Sequence, residues 1–359
     1  MNWKLAQRLL ANVMQWAPED DVKERPILQS LAAFKYDDYD YFSPGMRFIE
    51  SLALWLKQFE TIQERRLAYE FVKKRMVYIS SQEMFHLVTI AYPDFIRPYL
   101  IKQIAPNLRV KEWKIKKIVE SSEFKIAQKK SLFLALSDSA RIDEFRRSNP
   151  SINNEQVLRS HEIQSFRAED MVEKLKEGLR PLLSCEPVIG DAKFRFVFLI
   201  DDFSGSGFTC KSKIGKFMDS TKKELKDLFN VNDLRVCLLL YVASDRATKS
   251  LQKAGQEILG EIPLDILIID PLPDYIRIDK QKDGKFVDLL KKYYDPVIQS
   301  KHYKMGKTEK PFLGFDESGL PLVLEHNTPN NSIALLWFPE DPKAKLRGLF
   351  PRISRHRED

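Results

Sequence analysis

Two adjacent carboxylates followed by a loop of hydroxyls and glycines give residues 201–209 the means to hold a sugar phosphate. Asp201 and Asp202 can accept hydrogen bonds from vicinal ribose hydroxyls or hold Mg²⁺. Ser204, Gly205, Ser206, Gly207, Phe208 and Thr209 follow, with little side-chain bulk and several hydroxyls, so their backbone N–H groups can close on a 5′-phosphate where the next helix starts. The preceding run, Phe196, Val197, Phe198, Leu199 and Ile200, is apolar without alternation. That pattern predicts a central parallel strand covered on both faces, and α/β sheets bind their ligands at the carboxyl ends of such strands. A dinucleotide fingerprint fits poorly, because Cys210 stands where a third glycine is needed and paired acids repel a pyrophosphate. A response-regulator acid pair also sits at a strand end, but without this Ser/Gly/Thr loop. A turn rich in Gly and Ser for conformational reasons alone is the structural alternative.

Residues 196–209 resemble the PRPP-binding signature of the type I phosphoribosyltransferases, in which an apolar strand leads to two acids, two spacers and a T-G-x-T turn. Ser206-Gly207-Phe208-Thr209 stands for that turn, with serine in the first threonine position. The resemblance implies that Asp201 and Asp202 face the ribose hydroxyls and that Ser204 to Thr209 wrap the 5′-phosphate. It also gives a role to Ser137, Asp138, Ser139, Ala140 and Arg141, which follow a short apolar strand at Leu132 to Leu136. Such enzymes place a pyrophosphate loop after an earlier strand, facing the ribose phosphate loop across the sheet edge. Arg141 could there supply positive charge to the oxygens of departing pyrophosphate. Asp138 within that loop then needs Mg²⁺ or Arg141 to neutralise it. An ordinary strand-to-helix turn, with Arg141 paired to Asp143 or Glu144, is the alternative. Between these loops the family usually carries a flexible catalytic hairpin, whereas Asn153 to Leu183 reads as helical, with Met171, Val172, Leu175 and Leu179 at helical spacing.

Around these loops the pattern is one of strands and helices in alternation. Strands are predicted at Leu132 to Leu136, in the Phe194 run, at Leu234 to Val242 and at Leu264 to Asp270, with helices at Lys211 to Phe229 and Ala247 to Leu259. Alternation of this kind predicts an α/β domain with a parallel, doubly wound sheet. Further on, Leu322-Val323-Leu324 leads into Glu325-His326-Asn327-Thr328-Pro329-Asn330-Asn331. Asn327, Thr328, Asn330 and Asn331 could read a base edge or a phosphate as a hood over the site, or serve as common turn chemistry. His326 is the one candidate for a general acid or base, since imidazole titrates near neutrality.

The first hundred residues read as helical. Phe48, Ile49, Leu52, Leu54, Trp55 and Phe59 recur at helical spacing, and Glu60 to Met76 continues the pattern. A short β-like segment, Val77-Tyr78-Ile79, precedes Ser80, whose spacing to Glu83 fits a capping box. The helix that follows is expected to turn Met84, Phe85, Leu87 and Val88 inward, with His86 partly buried. Helix, short strand, capped helix and basic tail fit a winged helix-turn-helix or a helical adaptor, although no recognition helix rich in Arg, Asn or Gln is visible. Between Lys102 and Lys130 nine basic residues face three glutamates, so the segment could lie along a nucleic-acid backbone or form a solvated helix face.

Composition frames these expectations. A chain of 359 residues, 43% hydrophobic and 30% charged, fits two globular domains, here residues 1–130 and 131–359. No apolar run approaches the roughly 20 residues that span a bilayer, so no membrane partner is expected. Cys185, Cys210 and Cys237 make neither a disulfide framework nor a zinc site, which points to a reducing cytoplasm. The net charge of +7 favours anionic partners weakly.

As a whole the chain resembles the phosphoribosyltransferase-like proteins of bacterial conflict cassettes, including anti-phage retron systems. The likeness is carried by SLFLALSDSARIDEFRR at 131–147, FVFLIDDFSGSGFT at 196–209, EHNTPNNSIALLW at 325–337, LFPR at 349–352 and FSPGMRFIESLALWL at 42–56. It implies a Mg²⁺-dependent effector acting on PRPP or nucleotides, with residues 1–130 coupling to a nucleic acid, a reverse transcriptase or a non-coding RNA, and with homo-oligomers open. A PRPP-sensing regulator without catalysis and a base-salvage enzyme are the competing functions.

Overall fold

In a computed structural model the described residues are 2–42, 47–163, 165–183, 187, 190, 192–223, 227–260, 262–296, 308–339 and 346–352. Cys185 and residues 43–46 of the N-terminal likeness lie outside them. The strands in chain order are β1 (Val77–Ile79), β2 (Ser131–Ala135), β3 (Val157–Leu158), β4 (Phe196–Ser204), β5 (Arg235–Ser244), β6 (Leu264–Leu272) and β7 (Leu322–Leu324). They fall into two compact units, Met1–Glu83 with Pro273–Asp359, and Met84–Leu272. This division differs from the expected boundary near residue 130. Its cause is a pairing distant in sequence: β1 lies parallel to β7, Val77 opposite Leu322 and Ile79 opposite Leu324, which draws the C-terminal segment into the unit of the N-terminal helices.

That discontinuous unit is helical apart from β1 and β7. Its helices at Trp3–Met14, Pro18–Phe34, Phe48–Lys57, Ile62–Lys74 and Lys280–Tyr293 surround a core rich in aromatic rings. Phe48, Trp55 and Phe59 are fully buried, as their helical spacing predicts. Phe350 stacks on Phe48 and meets Tyr36, Tyr39 and Tyr78. Ser51 Oγ donates to the Leu349 carbonyl at 2.7 Å and Trp55 Nε1 to that of Leu335 at 2.9 Å, so the C-terminal segment is hydrogen-bonded to the helix at 48–57. In place of a wing hairpin, β1 has β7 as its partner. The capping box forms: the Ser80 N–H donates to Glu83 Oε2 at 2.9 Å and the Glu83 N–H to Ser80 Oγ at 3.3 Å. On the helix it starts, Met84 and Val88 are buried, but Phe85 and His86 face solvent, because an inward stripe takes one residue per turn.

The other unit is built on a five-stranded, fully parallel sheet of order β3-β2-β4-β5-β6. Side chains alternate between its faces. Leu132, Leu134, Val197, Leu199, Val236 and Leu238 pack against the helices Ser165–Leu179, Phe208–Lys223 and Asp245–Leu259. On the opposite face Phe133 stacks on Phe198 with ring centroids 5.2 Å apart, Phe145 of the helix Ile142–Arg147 joins them, and Tyr99 of the helix Arg97–Ile104 meets Phe198 edge-on. Helices therefore cover both faces, and the sheet is doubly wound as the alternation of elements predicts. The segment 153–183 is only partly helical, since Val157–Leu158 joins the sheet edge as β3 and the helix begins at Ser165. Among the described residues no helix is long and apolar enough to cross a membrane.

Candidate functional site

The strand order creates one switch point. β3 lies on one side of β2 and β4 on the other, so the loops leaving β2 and β4 diverge and open a crevice at their carboxyl ends. The backbone ladder shows where it opens: β2 pairs with β4 only as far as Ala135 opposite Ile200, whereas β4 stays paired with β5 through Ser204 opposite Ala243. Asp201 and Asp202 therefore still lie in a strand, at the point where it loses one neighbour. Both are nearly buried, at 4% and 7% exposure.

Here the two sequence-predicted loops meet. Ser137 Oγ donates to Asp201 Oδ1 and lies 3.0 Å from Ser139 Oγ. The Asp202 N–H donates to the same Asp201 oxygen at 3.2 Å, and Cys210 Sγ lies 4.0 Å from Asp201 Oδ2. Lys213, from the helix after the loop, donates to the Leu136 carbonyl next to Ser137. Burial raises the Tyr241 phenol, the charges of Asp202, Glu144 and Asp201 raise it further, and Arg141 opposes them. Tyr241 OH in turn donates to the Ala140 carbonyl at 3.0 Å, bracing the first loop. Asp201 is thus tied to Ser137, and the side chains of the two adjacent acids also interact with each other.

Burial, and next the charge of Asp202, push the Asp201 carboxyl up to about 7, opposed by the Ser137 hydrogen bond and by Lys213. An acid raised in the folded state binds its proton more tightly there than in the unfolded chain, so the contribution of Asp201 to stability is greatest at low pH and is lost as pH rises from about 4 to about 7. Asp201→Asn should flatten that fall in a series of thermal melts across this range, and an equal slope in both proteins would contradict it. The Cys210 thiol, pushed up to about 12 by burial, is no nucleophile at neutral pH.

The second loop is held from below. Gly207 adopts φ +79°, and a Cβ there would sit 3.1 Å from Leu251 Cγ and 3.3 Å from the Ala247 carbonyl oxygen, so glycine is required for conformation and space. Ser244 caps the helix Asp245–Leu259 by accepting from the Ala247 N–H, and its hydroxyl donates to the Gly205 carbonyl at 2.6 Å. Ser206 Oγ accepts from the Phe208 N–H at 3.4 Å. The helix Phe208–Lys223 has no acid in its first turn, which leaves its positive N-terminal end to an anion. Thr209 and Phe208 are exposed, while Ser204 is buried against Cys210.

In the first loop Asp138–Ala140 forms one 3-10 turn with Asp138 exposed, and Arg141 closes it at φ +47°. The arginine pairs with Glu144 at 3.2 Å, the partner expected of an ordinary turn. Among the described residues no group of three or more His, Cys, Asp or Glu is gathered as for a metal. Two carboxylates are nonetheless a sufficient protein share for Mg²⁺, which takes its other ligands from phosphates and water.

The remaining candidates belong to the other unit. His326 Nδ1 lies 3.0 Å from Oε1 of the buried Glu325. Thr328 is fully buried, its hydroxyl donating to the Phe350 carbonyl at 3.0 Å, and Asn331 Nδ2 donates to Ser318 Oγ at 3.0 Å. The Asn330 carbonyl accepts from the Phe315 N–H, and the Asn327 N–H donates to the Leu324 carbonyl. These are the bonds of a turn that fastens the C-terminal segment.

Sequence reasoning missed Lys213, Ser244, Tyr241 and His161. His161 is buried and hydrogen-bonded to the Ala135 backbone near Lys213, and its imidazole is held below the ordinary value chiefly by desolvation. Tyr241 and Ser244 lie near the end of β5, which the strand pattern alone could have flagged, whereas Lys213 lies within the following helix of the site and carries no such signal.

Fold and loops together are those of a phosphoribosyltransferase-like α/β protein. The chain belongs to the PRTase-CE family, whose model matches residues 52–352, a span that includes every strand of both units. No curated protein and no solved structure matches the chain.

Proposed function

We propose that the β2/β4 crevice binds a ribose 5-phosphate carrying a leaving group at C1, either PRPP or a nucleotide, with Mg²⁺, and that the protein catalyses glycosyl transfer or hydrolysis there. The observation that carries this reading is the Ser137–Asp201 hydrogen bond, which joins a pyrophosphate-type loop to a ribose-phosphate-type loop at the switch point of a parallel sheet. Backbone N–H groups of Ser204 to Thr209 and the following helix N-terminus hold the 5′-phosphate. Asp202, with Asp201, takes the ribose hydroxyls or the metal. Asp201 and Asp202 would hold Mg²⁺, which would supply positive charge to the phosphate oxygens. Asp201 fits that role because its neighbour and its burial already disfavour its charge without a cation. Ser137 to Arg141 receive the pyrophosphate, and Arg141 exchanges Glu144 for the oxygens that gain charge.

A second reading has one observation in its favour. Arg141 is already paired with Glu144, as in a site that binds PRPP without turning it over. Incubating the pure protein with PRPP, Mg²⁺ and a panel of nucleotides, followed by mass analysis, separates the two: consumed substrate supports the enzyme, bound but intact substrate the sensor. Absence of binding overturns both. The anti-phage effector role implied by the conflict-cassette resemblance is part of this proposal, and nucleotide pools measured on expression test it.

A further inference from the structure

Outside the crevice the described residues expose one large aromatic ring in a strongly basic setting. Trp113 is 71% exposed and Ile115 50%. Residues 111–117, KEWKIKK, hold four lysines against Glu112. Lys111 Nζ lies over the Trp113 ring, 5.9 Å from its centroid. The ring is presented by a hydrogen-bonded turn: the Val110 N–H donates to the Ala105 carbonyl, Arg109 adopts φ +52°, and the Lys114 N–H donates to the Lys111 carbonyl at 2.9 Å. A shallow groove runs from Trp113 past Lys114, Ile115 and Lys117 to Ser121.

A single exposed ring is ordinary, but here the indole, the half-exposed Ile115 and four lysines share one short ordered segment, a stacking surface set among positive charges. Three kinds of partner could cover it, and charge decides among them. Lysine is depleted from the cores of protein–protein interfaces, where its desolvation is costly. A membrane-surface helix needs a long apolar face, whereas the helix Ile115–Glu120 has six residues and exposes one large apolar side chain. A single nucleic-acid strand uses both components, phosphates for the lysines and an unstacked base for the indole. In a duplex the bases already stack on one another, which leaves the ring nothing to cover.

We infer that residues 109–121 form a docking platform for single-stranded nucleic acid, with Trp113 stacking on a base and Lys111, Lys114 and Lys117 tracking the phosphates. This inference stands apart from the chemistry proposed for the crevice.

Labelled single-stranded oligonucleotides of about twenty nucleotides, dT and rU in separate arms, test it by anisotropy against the full-length protein, with a duplex of equal length as comparison. Single strands should bind about tenfold more tightly than the duplex, with a log–log salt slope of about −2 for three phosphates. Trp113→Ala should weaken single-strand binding by about tenfold, and Trp113→Phe should keep most of it. Because the side chain is exposed, both variants should melt with the wild type. The inference is overturned by equal affinity for duplex and single strand with no effect of Trp113→Ala. It is equally overturned by no binding at low salt, or by Trp113-dependent binding to anionic phospholipid vesicles in place of oligonucleotides.

Discussion

Asp202→Asn should lower the affinity for Mg²⁺-PRPP by on the order of a hundredfold while leaving the fold intact. The substitution keeps the shape of the side chain and removes only its charge, so it cannot replace a carboxylate that holds a metal or accepts from two ribose hydroxyls. Asp202 is the more telling of the two acids, because a substitution at Asp201 would also disturb its hydrogen bonds from Ser137 Oγ and the Asp202 N–H. The thermal midpoint should stay level or rise, since one of two like charges in a nearly buried pair is gone. Calorimetric titration of the folded variant decides the matter, and unchanged affinity would remove the ribose phosphate reading of β4.

The second large effect separates catalysis from sensing. If Arg141 meets charge that appears on pyrophosphate only as the C1 bond breaks, Arg141→Ala should cost turnover about a hundredfold and PRPP affinity no more than about threefold. Its left-handed backbone, φ +47°, strains alanine as it strains arginine, so the comparison isolates the side chain. Glu144 loses its partner in that variant, and Arg141→Ala with Glu144→Gln controls for the stranded charge. Equal losses in turnover and affinity would make Arg141 a binding residue only. A wild-type protein that binds PRPP and leaves it intact would establish the sensor.

Strands β2, β4 and β5 were legible because each holds an unbroken apolar run, the pattern that burial on both faces imposes, and the edge strand β6 through its shorter run Ile266 to Ile269. β3 was not, since two residues at a sheet edge carry no periodicity. That β4 runs on through Asp201 to Ser204 depends on its ladder with β5, and nothing in residues 201–204 alone announces it. The loops of the site were readable from local chemistry, and the order of strands that joins them was not. The division into units escaped for a related reason. Leu322-Val323-Leu324 reads equally well as the next strand of the same sheet, and only its parallel register with Val77-Tyr78-Ile79 assigns it elsewhere. Phe85 and His86 show the converse error, where four apolar residues around one histidine suggested a wider buried face than one helix turn supplies.

The pairing of β1 with β7 also fixes an order of events during synthesis. Residues 84–272 emerge from the ribosome as a contiguous stretch that contains all five strands of one sheet, so this unit can fold while the chain is still growing. The first helices cannot complete theirs until β7 and Phe350, at the centre of their aromatic core, are made after the sheet unit. Until then Phe48, Trp55 and Phe59 have a core without its final pieces. A chain truncated before residue 322 should therefore retain a folded sheet unit while its N-terminal helices, lacking β7 and Phe350, are open to proteases, which limited proteolysis would read out.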